Sequence, residues 1–330
     1  MVEYLNHVIW QQFKNWMLPI AMLAGGIFYP FFSSLSFLTP YLIFLMLLVP
    51  YCKLSLSDLH VRKWHLILLG IQLLGGLLVY GILAPADPLL AQGVFICVLA
   101  PTATSAAVVT GMLGGSVASL ATYCLISNIG VAVVSPFVFS LVGEHVSMPF
   151  LQSFGTICRQ MAPLLILPLF IALLLRRLLP RVHRQLERRQ SISFYLWSVS
   201  LTIVMGNTVS FLVRQDASNY RNEVLMATGA LVVCVLQFVV GRRIGRRYGE
   251  RISGAQGLGQ KNTVLAIWMA QTYLVPVASV GPAAYVVWQN IINSWQLWRK
   301  RREDESRRKA PVPGVPALPV KGSCRGHSVR

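Results

Sequence analysis

The sequence predicts an all-α membrane protein of about ten transmembrane helices, built as two inverted five-helix repeats whose broken helices, the fourth and the ninth, cross. Three observations predict it. Apolar runs long enough to span a bilayer recur along the chain, basic clusters follow the even-numbered runs, and the fourth and ninth runs are interrupted at matching places. The composition agrees, with 55% hydrophobic and 12% charged residues among 330 and a mean hydropathy of +0.60. Soluble globular domains do not have that balance.

The runs fall roughly at 16–32, 36–52, 64–84, 88–112, 116–142, 157–178, 194–213, 223–241, 257–277 and 281–298. Pro40 and Pro50 interrupt the second and soften its limits. The N-terminus carries Glu3, His7 and Lys14 and lacks a small-residue cleavage site, so no cleavable signal peptide is expected. Lys53, Arg62 and Lys63 follow span two, and Arg176 to Arg189 follow span six. Arg242 to Arg251 follow span eight, and Arg299 to Arg302 follow span ten. The other loops carry Asp87, Glu144 and the mixed set Arg214, Asp216, Arg221 and Glu223. By the positive-inside rule both termini are cytoplasmic. The formal charge of +18 therefore reads as topology, and nucleic acid is not an expected partner.

The membrane domain is predicted over 1–302, with a first repeat at about 16–142 and a second at about 157–298. Because five is odd, the second repeat enters the membrane in the opposite sense. Residues 303–330 alternate charge and then carry Pro311, Pro313, Pro316 and Pro319, which predicts a disordered tail lying on anionic headgroups. The stretch Arg176–Gln190 reads as a solvated topology signal, with an amphipathic interfacial helix as the alternative. His60 and His65 flank the start of span three and are expected to be solvated or interfacial. The cysteines have neither metal nor disulfide spacing: Cys97, Cys124, Cys158 and Cys234 lie in apolar runs, Cys52 at a span end and Cys324 in the tail.

The two breaks carry the chemistry. In the fourth span Pro101 removes a helical N–H and clashes with the preceding turn, costing about 3 kcal/mol in an unbroken helix. Thr102, Thr104 and Ser105 can then satisfy the freed groups or a ligand. In the ninth, Gly254-Ala-Gln-Gly-Leu-Gly-Gln-Lys-Asn262 holds three glycines, each weakening a helix by about 1 kcal/mol, together with Gln256, Gln260 and Asn262. The break is therefore predicted over 254–262. Lys261 lies ten residues beyond Arg251, roughly 15 Å into a hydrocarbon core of about 30 Å. A charge at that depth costs about 2.5–3.5 kcal/mol and needs a partner or a wet cavity. Pro101 and Lys261 are expected in one cavity.

Ala100-Pro-Thr-Ala-Thr-Ser-Ala-Ala-Val-Val-Thr-Gly-Met-Leu-Gly-Gly115 resembles the broken fourth helix of the bile acid:sodium symporter family, C-P-G-G-x-x-S-N, followed by a fifth helix ending in a Ser-Pro like Ser135-Pro136. Leu258-Gly-Gln-Lys-Asn-Thr-Val-Leu-Ala266 resembles that family's broken ninth helix, E-x-G-x-Q-N-x-x-L-A, and Gln72 matches a third-helix glutamine that helps bind sodium. The resemblance implies organic-anion transport in a bacterial inner membrane, with two sodium ions held where the broken helices cross. This chain departs at those positions. The Ser-Asn pair falls on Ala106 and Ala107, and two further hydroxyl ligands fall on Leu120 and Cys124. With Asn262 aligned, the bridging glutamate falls on Gly257 and the glutamine on Lys261; a shift of one residue puts Gln256 and Gln260 there instead. Neither register restores a carboxylate. Sodium needs several hard oxygen ligands, so no metal cofactor is expected, and Lys261 reads as its replacement.

The leading functional expectation is a secondary carrier of a small organic anion, its site formed by Gln72, Pro101, Thr102, Thr104, Ser105, Gln256, Gln260, Lys261 and Asn262. Lys261 pairs with the substrate anion or cycles between neutral and charged states and carries a proton. The alternatives are a non-transporting membrane sensor and a conventional sodium symporter. No span carries an Asp/Glu/His set with catalytic spacing, and Gly254-x-x-Gly-x-Gly259 is no dinucleotide fingerprint, so an enzyme is not expected.

Overall fold

The computed structural model describes residues 20–53, 60–143, 150–189, 191–214 and 220–309. Glu3, His7, Lys14, Glu144, Asp216, Cys324 and the tail prolines lie outside them. Helix α1 (20–27) turns at Phe28 into α2 (Tyr29–Ser34), and a 3₁₀ turn at Ser36–Leu38 leads into α3 (Thr39–Tyr51). Pro40 occupies α3's first turn, where no N–H bond is lost, and Pro50 its last. The two prolines thus bound the second span without dividing it. Then come α4 (Lys63–Leu83), α5 (Pro88–Leu99), α6 (Ala106–Leu113) and α7 (Val117–Val142). Asp87 caps α5, accepting from Leu89 N at 2.9 Å and Leu90 N at 3.0 Å.

The second half of the chain supplies α8 (Phe150–Leu178), α9 (Pro180–Arg188), α10 (Ser191–Arg214) and α11 (Tyr220–Arg247), then α12 (Arg251–Gly259) and α13 (Thr263–Tyr273). A 3₁₀ turn at Pro276–Ser279 precedes α14 (Val280–Lys309). The described residues hold no strand; their isolated bridge pairs Thr102 with Lys261. The helices pack in two groups. In one, α10 lies on α2 and α3, and α3 on α8; in the other, α11 packs on α12, α14 and α5, and α4 on α5. Contacts of α7 with α8 and of α10 with α13 join them.

By length and composition α4, α7 and α11 are each able to cross a membrane. Their outer faces suit lipid: Leu74, Leu78 and Ile82, one helical turn apart on α4, are 68%, 64% and 65% exposed. Helix α5, with twelve residues, rises only about 18 Å, and α6 about 12 Å, so neither crosses a ~30 Å core alone.

Four expectations need correction. The ninth-span break is narrower than 254–262, because α12 runs helically through Gly259 and only Gln260–Asn262 leave it. The glycines serve packing instead: a Cβ on Gly254 would collide with the backbone of Gly241 and Gly245 on α11. Close backbone contact repays their weak helix propensity. Second, α14 continues through the first part of the predicted tail to Lys309, aided by an i,i+4 pair between Arg299 and Glu303 at 2.9 Å. Third, part of the Arg176–Gln190 stretch folds as α9, with Leu186 packed on the main core. Fourth, His65 is fully buried: its Nδ1 accepts from Arg62 N at 3.0 Å and its Nε2 lies 3.3 Å from Ser119 Oγ. His60 is exposed, as expected.

Candidate functional site

The two breaks meet in a two-residue antiparallel bridge. Asn262 N donates to Pro101 O at 2.8 Å and Ala103 N donates to Gln260 O at 3.0 Å, flanking the Thr102–Lys261 pair. Irregular backbone inside a membrane is tolerated only where its polar groups find partners, and here each break supplies them to the other.

Pro101 ends α5, and its broken C-terminus leaves a row of carbonyls that must be met from elsewhere. Every one is met. Cys97 O accepts from Gln237 Nε2 at 3.3 Å, Val98 O from Lys261 Nζ at 2.9 Å, and Leu99 O and Ala100 O from Gln72 Nε2 at 3.0 and 2.9 Å. The Gln72 Oε1 in turn accepts from Tyr123 OH and Ser127 Oγ, both at 2.9 Å. Ser127 Oγ also accepts from Thr102 N at 3.1 Å, and Thr102 Oγ1 donates to Gly257 O of α12 at 2.6 Å. Tyr285 OH donates to Gly259 O at 2.7 Å. Two helix C-termini, α5 and α12, thus converge on one point, and their dipoles favour a positive charge there. Lys261 brings it.

Lys261 is 1% exposed, so its amine is packed rather than lining a cavity, which corrects the expected shared cavity. Pro101 is buried beside it. The Lys261 backbone N–H donates to Gln289 Oε1 at 2.9 Å, and its flank is the apolar cluster that includes Cys97, Cys234 and Tyr285. Among the described residues its amine bonds a backbone carbonyl and no carboxylate.

The remaining predicted residues separate into two sets. Gln72 and Thr102 are committed to the network above, and Asn262 caps α13 by accepting from Leu265 N at 3.3 Å. Gln256 points away from the crossing, donating to Asn293 Oδ1 at 3.0 Å. Thr104 and Ser105, in contrast, are half-buried at the start of α6. Gln260 Nε2 donates to Ser105 Oγ at 3.2 Å, and its Oε1 is buried without a partner among the described residues. The α6 N-terminus carries no side-chain cap.

The five positions that align with sodium ligands come together in an apolar environment. Ala106, Leu120 and Cys124 belong to one buried cluster with Trp64, Leu68, Tyr123 and Leu258, and Ala107 packs against it. A Cβ on Gly257 would press on Tyr123 and Leu120. Cys124 Sγ donates to Ala103 O at 3.3 Å. No hard oxygen ligand is added by these side chains.

Sequence reasoning missed Tyr123, Ser127, Gln237, Tyr285 and the α14 stripe Gln289, Asn293 and Gln296. The stripe was legible, being polar at i, i+4 and i+7 in an apolar span, and its members are 2%, 5% and 8% exposed.

The model of the SBF-like CPA transporter family matches residues 32–292, which include both breaks and the side chains that meet at their crossing, though not Asn293 or Gln296. No curated protein matches the chain.

Proposed function

Because the chain belongs to the SBF-like CPA transporter family, we propose that it is a secondary carrier of a small organic anion that works without sodium, its ten spans forming two inverted repeats. The family resemblance read from the two breaks is borne out by that match. One observation carries the rest: Lys261 occupies the convergence of the α5 and α12 C-termini, while the positions of sodium ligands hold a packed apolar cluster.

The physical argument turns on charge. Two carbonyl-bearing helix ends attract a cation, and a mobile ion or a tethered amine meets that need equally. A tethered amine does not dissociate, so the free energy of a sodium gradient has nothing to act on at this point. Beside the crossing lies the positive dipole end of α6, its first N–H groups turned back on the carbonyls of Ala103, Thr104 and Ser105, with the Thr104 and Ser105 hydroxyls and the Gln260 amide around it. A carboxylate or sulfonate fits that half, with Lys261 providing long-range attraction. Exchange of the Lys261–Val98 contact for a contact to the anion then links substrate occupancy to the packing of α5 on α12. A proton carried by Lys261 is the other way the same amine couples transport.

The test is uptake of a panel of labelled carboxylates and sulfonates into proteoliposomes, with and without sodium and with and without a pH gradient. Uptake is expected to be independent of sodium at fixed pH and ionic strength. Uptake that rises steeply with sodium overturns the reading.

A further inference from the structure

A second polar site lies at the arginine-rich end of the molecule, away from the crossing. A cleft of about 410 Å³ opens between the α6–α7 turn, the start of α12, and the facing sides of α11 and α14. That is within the roughly 300–1,000 Å³ of small-ligand sites. Arg242, Arg251 and Arg299 line it.

Its charges are unevenly met. Arg299 pairs with Glu303 at 2.9 Å. The Glu250 carboxylate is spoken for, accepting from Arg62 Nη1 at 3.2 Å and Ser253 Oγ at 2.7 Å. Arg242 makes a single neutral contact, to Gln296 Oε1 at 3.2 Å, and the Arg251 guanidinium has no bond to the described residues. Gln296 is 8% exposed and lines the cleft; its Oε1 takes Arg242 and, at 3.5 Å, Gln256 Nε2, and its own amide N–H groups have no acceptor among the described residues. At N-cap Glu250 no side-chain bond closes the first turn of α12, so the N–H groups of Arg251, Ile252 and Ser253 face the same space. Apart from the Glu303 carboxylate that faces Arg299, the groups left over are donors: two guanidiniums, one amide and a helix N-terminus. That set recognises a multiply charged oxyanion.

The position says more. Trp295 lines the cleft and is 51% exposed, as is Trp298, and Arg302 stacks over the Trp298 ring at 4.3 Å. Tryptophans in that setting mark the membrane–water boundary, where phosphate headgroups lie. We propose that this cleft is a phosphate-binding site for the headgroup of an anionic lipid, locking α12 to α11 and α14. The site is independent of the transport reading, since none of these residues belongs to the crossing.

Purified full-length protein, stripped of lipid in detergent, is titrated with dioctanoyl phosphatidylglycerol, with dioctanoylglycerol, which lacks the phosphate, and with inorganic phosphate, at ionic strength fixed by chloride. Thermal midpoint is followed. The phosphatidylglycerol is expected to raise the midpoint and dioctanoylglycerol to leave it unchanged. Arg251→Gln is expected to weaken the apparent affinity roughly tenfold, as loss of a charge-assisted contact does. A response to inorganic phosphate as strong as that to the lipid supports the oxyanion site with a soluble source; a response to the lipid alone supports the headgroup. No response to either phosphate probe, an equal response to dioctanoylglycerol, or an undiminished response in Arg251→Gln overturns the proposal. Arg242→Gln is a second variant, but Arg251 decides the matter, because its side chain is exposed and holds nothing else in place.

Discussion

The two breaks reach the same point by different chemistry. The first, Ala100–Ser105, is made by the backbone: Pro101 ends α5, and four carbonyls from Cys97 to Ala100 are met by side chains of α4, α11 and the second break. The second, Gln260–Asn262, is made by its side chains: Gln260 reaches Ser105, Lys261 reaches Val98 and Asn262 caps α13. The helix end at the first break presents carbonyl acceptors, and Gln260 and Lys261 of the second present side-chain donors. The proposed sodium-free reading rests on that unlikeness, since two acceptor-rich breaks need an ion between them.

The amine should be where that comparison breaks hardest. Lys261→Gln is expected to lower uptake about a hundredfold or more, the consequence of losing on the order of 3 kcal/mol of charge stabilisation at a desolvated point. Sodium is not expected to rescue it, because Ala106, Ala107, Leu120 and Gly257 still supply no ligand. Gel filtration and thermal midpoint check that the fold survives. A variant that transports normally sinks the role given to Lys261.

Next comes the cap. Gln72→Leu removes the donor to Leu99 O and Ala100 O and the acceptor of Tyr123 and Ser127 at once. Several buried groups are then stranded at about 1–3 kcal/mol each, so a loss of several kcal/mol in stability is expected. Gln256→Leu, with its Oε1 already unpartnered and its amide donating to Asn293 and, at 3.5 Å, to Gln296, is expected to lose only about 1 kcal/mol. Denaturation of the two variants side by side measures the contrast; equal losses contradict the carbonyl accounting.

These contrasts show what the sequence made legible. Pro101 announces its break because proline acts locally, on its own N–H and the preceding turn. Lys261 was legible because a charge deep in an apolar run demands explanation wherever it points. The glycines misled, because Gly254 weakens an isolated helix yet permits the contact with Gly241 that holds α12 in place. Propensity is local, and that contact spans helices. Gln72 was found through resemblance, and its amide donates to the carbonyls at the end of α5. Tyr123, Ser127 and Tyr285 could not be found from their neighbours in sequence, since each is chosen by a carbonyl or amide on another helix. Gln289 and Asn293 could have been, from their helical spacing.

The smallest expected effect bears on whether Pro101 or its surroundings hold the first break open. An alanine at 101 restores the missing N–H and removes the ring clash, which in an isolated segment favours joining α5 to α6 as one helix. In the folded protein that rearrangement would swing Val98, Leu99 and Ala100 carbonyls into helical bonds and strand the donors that now meet them, Lys261 and Gln72. It would also break the bridge at Thr102 and its 2.6 Å bond to Gly257 O. The propensity gain is about 3 kcal/mol, while four or more bonds at roughly 1 kcal/mol each, with buried donors left open, oppose it. Pro101→Ala is therefore expected to keep the break, shift stability by no more than about 1 kcal/mol, and retain most uptake. A Pro101→Ala variant that loses several kcal/mol of stability and most of its uptake would show instead that the proline, not the network, sets the crossing.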